Sequence, residues 1–234
     1  MSDTNVLNFS SKKEEETTAL SSMDAFLSSN QKVLISIVVV AVVAVIAAIT
    51  GITFADSAKE KQLSAIDKIS YTLTQKSASL SDDELEVRRN VALEGLSAYT
   101  SKKGIAGIRS NMLAGDIYYQ SAKFEDAKNA YLKAASASPK AYTAPICYYN
   151  VAQCFENLND NENAIVYYEK AESYNDFAML THTIFNIGRV KESVKDYQGA
   201  KEAYTKLAEK YPDDSWTKIA KSRLLDFEIK GIAQ

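Results

Sequence analysis

LAGDIYYQSAKFEDAKNAYLKAASASP, residues 113–139, decides the fold because it comes back twice. Its core, Ala114-Gly115-Asp116-Ile117-Tyr118 followed by Ala127, Tyr131, Ala134 and Pro139, returns as Val151-Ala152-Gln153-Cys154-Phe155 with Ala164, Tyr168, Ala171 and Asp176. A third copy reads Ile187-Gly188 with Ala200, Tyr204, Leu207 and Pro212. The offsets are 37 and then 36 residues, and the spacings inside each copy are the same. A fixed period of this length signals a solenoid of stacked supersecondary units.

Each unit reads as two helices. Small residues at Gly115, Ala152 and Gly188 let the second helix approach the first, and Ala127, Ala164 and Ala200 give the matching small contact. Tyr131, Tyr168 and Tyr204 fill the space farther along. Tyr118, Phe155, Ala134 and Ala171 complete the packing set. A hairpin of this kind has an apolar face it cannot bury alone, so neighbouring units must stack. Turns are expected at 121–125, 157–162 and 195–198, where polar residues cluster. Pro139 and Tyr211-Pro212 mark helix ends, since proline cannot continue a helix and restricts the residue before it.

These positions resemble the tetratricopeptide repeat, a 34-residue unit with small residues at positions 8, 20 and 27 and aromatics at 11 and 24. The match runs over 108–214, as units at about 108–141, 145–178 and 181–214. It departs from the pattern in the third unit, where Lys191 replaces an aromatic and Leu207 an alanine. The resemblance implies an all-α superhelix whose first helices line a concave face through positions 2, 5, 9, 12 and 13. Transferred to this chain, that face is Arg109, Met112, Asp116, Tyr119 and Gln120 in the first unit. The second gives Ile146, Tyr149, Gln153, Glu156 and Asn157, and the third His182, Phe185, Arg189, Glu192 and Ser193. An apolar, aromatic centre with a polar edge suits a segment of another protein. Packing of the same aromatics between helices is the competing assignment. Lys and Asn clamps for a C-terminal carboxylate, known in this family, are largely missing, because Met112 and Asp116 occupy the first two places.

Outward from the array, 59–79 and 83–102 carry two more apolar stripes, read as a divergent repeat or N-terminal cap over 59–107. Ser81 with Glu84 has capping-box spacing at the start of the second stripe. Trp216-x-x-Ile219-Ala220 opens a C-terminal capping helix over 215–232.

Farther upstream, residues 33–55 hold no charge. Twenty-three residues make a helix of about 35 Å, enough for a hydrocarbon core of about 30 Å. The 32-residue head before it is polar and net negative, unlike the short basic start of a cleaved signal, so an uncleaved single-pass anchor in the lipid bilayer is expected. Residues 1–32 read as a disordered tail in which 23–27 form a short interfacial turn. Lysine balance around the anchor leaves its orientation open.

The formal net charge is -3, with no basic excess to attract nucleic acid. The two cysteines, Cys147 and Cys154, lie seven apart on one predicted helix, too far for a disulfide and best read as buried apolar residues. No phosphate loop, nucleophile elbow, metal-ligand cluster or cofactor motif is present, which argues against an enzyme. The overall plan resembles bacterial membrane-anchored tetratricopeptide proteins that accompany the export translocon and periplasmic chaperones. That resemblance implies an inner-membrane protein with its repeats in the periplasm, holding polypeptides near a membrane machine. A structural adaptor of a cell-envelope or division complex, with or without self-association, and a cytoplasm-facing regulator are the alternatives.

Overall fold

The computed structural model describes residues 21–232, which fall into two units divided between Ala58 and Lys59. The expected disordered tail lies outside the described residues over 1–20, and residues 21–29 are helical rather than irregular.

In the first unit the apolar run sits in helix α1, Gln31–Thr74. Apart from the half-buried Leu34, its apolar side chains are open along the run, from Val33 at 59% to Phe54 at 79% exposed. The helix is long and apolar enough to cross a membrane by length and composition. The separate helix expected to begin at Lys59 does not exist as such. No proline or glycine interrupts 56–62, and Asp56 and Ser57 stay within the helix, so helical hydrogen bonding continues to Thr74, after which Lys76 turns left-handed at φ 53°.

The second unit contains the end of α1, a 3-10 turn Ser77–Ser79, and eight further helices. These are α2 Asp82–Thr100, α3 Ile105–Gln120, α4 Phe124–Ala137, α5 Ala144–Asn157, α6 Asn161–Glu172, α7 Leu180–Ser193, α8 Tyr197–Lys210 and α9 Ser215–Ile229. The expected capping box starts α2: Ser81 Oγ accepts from the Glu84 backbone and Glu84 accepts from that of Ser81. Helices α3/α4, α5/α6 and α7/α8 are the three repeat hairpins, each packed on the next in order.

The hairpin turns are built alike. Ala122, Asn159 and Lys195 take positive φ of 55°, 60° and 66°. The next residue in each donates its N–H to the carbonyl five residues back: Lys123 to Tyr118, Asp160 to Phe155 and Asp196 to Lys191, all at 2.9 Å. This six-to-one closure satisfies carbonyls that a helix end leaves open. Asp160 and Asp196 then cap α6 and α8 through their side chains.

Inside the hairpins the expected small-to-large fit takes a specific form. A Cβ on Gly115 would stand 2.6 Å from the Tyr131 ring, and one on Gly188 would stand 2.5 Å from that of Tyr204. The glycine thus seats the tyrosine of its own second helix, while Ala127, Ala164 and Ala200 are fully buried beside it. Ala152 takes the glycine place in the second unit. Ala134, Ala171, Leu207 and Tyr168 are at most 1% exposed, whereas Tyr118 and Phe155 are half-buried at the edges.

Ile66 of α1 and Ala92 and Leu96 of α2 close the start of the array over Ala106, Ala114, Ile117 and Ala130. The joint into α3 depends on two glycines. Gly104 takes φ 72°, and a Cβ on Gly107 would lie 1.8 Å from the Lys102 carbonyl oxygen. At the far end α9 buries Thr217, Ala220 and Phe227 against α8.

Candidate functional site

The first helices α3, α5 and α7 bring the sequence-predicted face residues into three different situations. The first is a crevice of about 390 Å³. Arg109, Met112 and Ile146 line it from α3 and α5, and Tyr142, Asp176 and Phe177 border it from the connections between hairpins. Met112 and Ile146 are half-buried, and Tyr142 stands 83% exposed. Arg109 pairs with Asp67 on α1, so its guanidinium is fixed at the rim.

Sequence reasoning missed Tyr142, Asp176 and Phe177, although the length of the units carried a signal. The residues in excess of 34 sit in the connections 138–143 and 173–179, whereas the last connection is only 211–214. The longer connections carry an aromatic ring over the N-terminal ends of the first helices.

The second situation is a polar ladder. Tyr168 Oη donates to Glu156 at 2.6 Å, and Arg189 of the next unit donates to both oxygens of that carboxylate at 2.8 and 2.7 Å. One unit on, Tyr204 Oη donates to Glu192 at 3.1 Å, and Arg223 of α9 pairs with the same group. In the first unit the acceptor is one helical turn earlier: Tyr131 Oη donates to Asp116 at 2.6 Å. Burial pushes the Asp116 carboxyl above its ordinary range, against the lowering effect of that bond. The tyrosine hydroxyls of all three units are pushed up, first by burial and then by the adjacent carboxylates. Tyr119 Oη accepts from Asn157 Nδ2 at 3.0 Å, and Gln153 lies half-buried on the same helix as that asparagine. Glu156, Arg189 and Glu192, expected to meet a partner, are therefore engaged across the boundaries between successive units, and Asp116 is engaged within its own.

The third is an aromatic core, and it corrects the expected lining at two positions. Tyr149 is 3% and Phe185 8% exposed, so neither offers a surface. Tyr149 packs edge-on against Tyr168 at 5.3 Å, and its hydroxyl accepts from Asn186 at 3.0 Å and meets His182 Nδ1 at 3.1 Å. Phe185 lies between Tyr204 and Trp216, at 5.8 and 5.1 Å. His182 stacks on Trp216 with ring centroids 3.8 Å apart and planes 6° from parallel. Desolvation, reinforced by Arg189, lowers the His182 pKa and favours the neutral ring. A stacked helix pair leaves a short wedge between first helices, and aromatics at the fifth position fill it before any ligand can.

Cys147 and Cys154 are free, buried thiols, each pushed up to about 12 by desolvation. Among the described residues no group of three or more His, Cys, Asp or Glu side chains is placed to hold a metal ion.

Stacked helical hairpins with a satisfied interior and an open crevice across the first two define an α-α solenoid. Residues 108–140 and 146–176 match a tetratricopeptide repeat family model, and residues 183–214 match a second one. Over these residues the chain is similar to tetratricopeptide repeats. A "TPR repeat-containing protein" of Treponema pallidum (strain Nichols) is 28% identical over 139 residues, which are 59% of this chain and 58% of that protein. The chain thus spans under two thirds of that relative. Two solved structures share the fold at 16% identity. BtubC (BKLC) from P. vanneervenii aligns over 77% of this chain and 79% of its own, with a TM-score of 0.58. A MamA protein aligns over 72% and 84%, with a TM-score of 0.50.

Proposed function

We propose that the protein is a membrane-tethered interaction scaffold, in which α1 crosses a bilayer and the repeat domain holds one partner protein as a structural adaptor of an envelope assembly. The observation that carries this reading is the crevice where Met112 and Ile146 of the first helices stay half-buried beside the exposed Tyr142 of a connection, with the buried Phe177 as its floor. An aromatic and aliphatic lining with a charged rim is the composition of an interface centre.

A fixed partner fits better than a stream of unfolded clients held for an export machine. Promiscuous capture uses adaptable, loosely committed surfaces. Here Arg109 at the rim is paired with Asp67 of α1, the charges farther along the first helices are tied to each other, and what is left is narrow. Tethering supports even modest affinity, because confinement to a membrane raises the effective concentration of partners that share it. The uncovered apolar length of α1 supports the tether, since water would not tolerate it as an open surface. An exterior-facing repeat domain in the bacterial inner membrane is part of the proposal.

The test is photo-cross-linking in intact cells from position 142, compared with position 162 on the far side of the second hairpin. A single stoichiometric partner captured from 142, and lost when M112D is added, is the expected result. Equal capture from both positions, or a heterogeneous ladder of nascent chains, would remove the adaptor assignment. Alkaline extraction of membranes tests the anchor: release of the full chain into the soluble fraction contradicts it. Protease digestion of the repeat domain in intact spheroplasts is expected for the exterior orientation.

A further inference from the structure

A groove of about 410 Å³ runs between the end of α1 and α2. Its centre is apolar, with Ile69 and Leu73 from α1 and Val91, Ala92 and Gly95 from α2. Gly95 brings the helices together there, since a Cβ on it would stand 3.0 Å from the tip of Ile69. Val91 remains 62% exposed, so the chain's own packing does not close this surface. Of the residues that border the groove, the charged ones are Lys68 and Arg88, and both are cations. They stand at opposite ends. Ile69 meets Gly95, and Arg88 Nη1 donates to the Gln75 carbonyl at 2.6 Å, so the helices run antiparallel. The guanidinium is thereby held about two turns beyond Lys68, roughly 10 Å along α1. Glu84, the carboxylate whose charge reaches Arg88, is turned back onto Ser81 by the capping box.

A cation, an apolar centre and a second cation over two turns specify what fits. The complement is a helix with acidic residues at i and i+7 and apolar residues at i+3 and i+4, which all fall on one face. The chain itself carries that face on α6, as Glu162, Ile165, Val166 and Glu169. Acidic residues seven apart occur four times, at 60/67, 162/169, 169/176 and 202/209, and only 162/169 encloses aliphatic residues at both inner places. Glu162 and Glu169 are exposed, Val166 is 45% exposed and Ile165 is half-buried. Glu169 pairs with Lys191 at 3.2 Å yet stays 49% exposed, which leaves part of its carboxylate to a second cation.

We propose that the groove between α1 and α2 takes the outer face of α6 from a second copy of the chain. Val166 and Ile165 then cover Val91, Ala92 and Gly95, while the two glutamates meet Lys68 and Arg88. Groove and ridge are different surfaces of one chain, so the contact is head-to-tail and one copy can follow another. Groove-to-groove pairing is disfavoured, because it brings Lys68 and Arg88 against their own kind. An acyl chain with one anionic head answers one cation and leaves the other beside an apolar surface. Neither the crevice at Tyr142 nor the membrane crossing of α1 enters this inference.

The test uses the full chain in detergent micelles, with V91C and V166C made as separate variants. Cys147 and Cys154 are buried and stay out of the reaction. Treated with a short bismaleimide, a mixture of the two variants is expected to give a linked dimer, at about fivefold the yield of either variant alone. Adding K68E to the V91C chain should lower that yield about fivefold. Adding E162K or E169K to its V166C partner should then restore it, and whichever does so gives the direction of α6 in the groove. These side chains are at the surface, so circular dichroism of the variants should match the parent; K68Q, a milder change, should lower the yield less than K68E. Sedimentation of the parent should show a mass that grows with concentration, and K68E should reduce that growth. V91C linking to itself as well as to V166C would overturn the proposal in favour of groove-to-groove pairing. A monomer at every concentration with no linked product would leave the groove to another molecule or to none, and a K68E loss that neither swap restores would show that these charges do not meet. Partner capture from position 142 should be unchanged in K68E, and any product of position 162 should contain this chain alone, which separates this contact from the other site.

Discussion

Arg189 grips Glu156 across the boundary between the second and third repeats, with one guanidinium nitrogen donating at 2.8 and 2.7 Å to the two carboxylate oxygens. Tyr168 donates to the same group from within its own repeat. The carboxylate side chain is 19% exposed and the guanidinium 46%, so solvent screens part of the attraction. A double-mutant cycle with E156Q and R189Q in urea denaturation is expected to give a coupling of about 1 kcal/mol. A value near zero would mean that the contact is incidental to stacking.

The glycines should divide by what their missing Cβ would meet. G188A places a methyl 2.5 Å from the Tyr204 ring, which is held in the core, and should cost about 1–3 kcal/mol. G107A meets the Lys102 backbone carbonyl at 1.8 Å and should cost more than G188A, because the chain itself must move. By contrast, the new methyl in G95A meets the flexible end of Ile69 at 3.0 Å, and the gain in helix propensity offsets the contact. Thermal denaturation should give the lowest melting temperature to G107A, a higher one to G188A and the highest to G95A.

Aromatic residues of the first-helix face should separate into core and surface. Y149A removes a ring that is 3% exposed and is expected to destabilise the repeat domain by about 3–5 kcal/mol. Y142A removes one that is 83% exposed and should leave stability within about 0.5 kcal/mol while lowering partner capture. Equal stability effects would mean that the two rings are not differently buried.

Acid should act through His182. Its folded-state pKa lies below the ordinary 6.5, so the unfolded chain takes up the proton first as pH falls. Stability from the neutral, stacked ring is complete above that ordinary value and is lost as pH drops through it toward the folded-state pKa. Between pH 7.5 and 5.5 the parent should therefore lose more melting temperature than H182N, which cannot titrate. An identical loss in both would assign the acid sensitivity to carboxylates alone.

Both thiols should be inert in the folded protein. With Cys147 and Cys154 pushed up to about 12, the reactive thiolate is scarce at pH 8, and both sulfurs are buried. Ellman's reagent is expected to report neither in native buffer and both after denaturation. Rapid labelling of the native protein would contradict the packing of α5.

The hairpins were legible because their determinants are local. Gly115 with Tyr131, and Gly188 with Tyr204, recur at a fixed spacing that only a helix, a tight turn and an antiparallel helix satisfy together. The Ser81–Glu84 cap was legible for the same reason: both bonds close within three residues. The boundary at Lys59 was not, since a change from apolar to charged side chains alters the solvent a helix prefers without breaking its hydrogen bonds. Tyr149 and Phe185 were misplaced because the family pattern gives a direction on the helix and not the width of the gap it faces.

By itself, then, the order of residues determined that this chain folds as stacked helical pairs and that one long apolar helix precedes them. Which side chains remain available to a partner was decided only in three dimensions. Glu156 meets Arg189 across 33 positions, and Tyr142 reaches Met112 through a connection whose path no periodicity describes. Satisfying a buried charge or covering an open ring depends on how one repeat rotates onto the next, and that rotation is set by the sum of packing contacts along the whole interface.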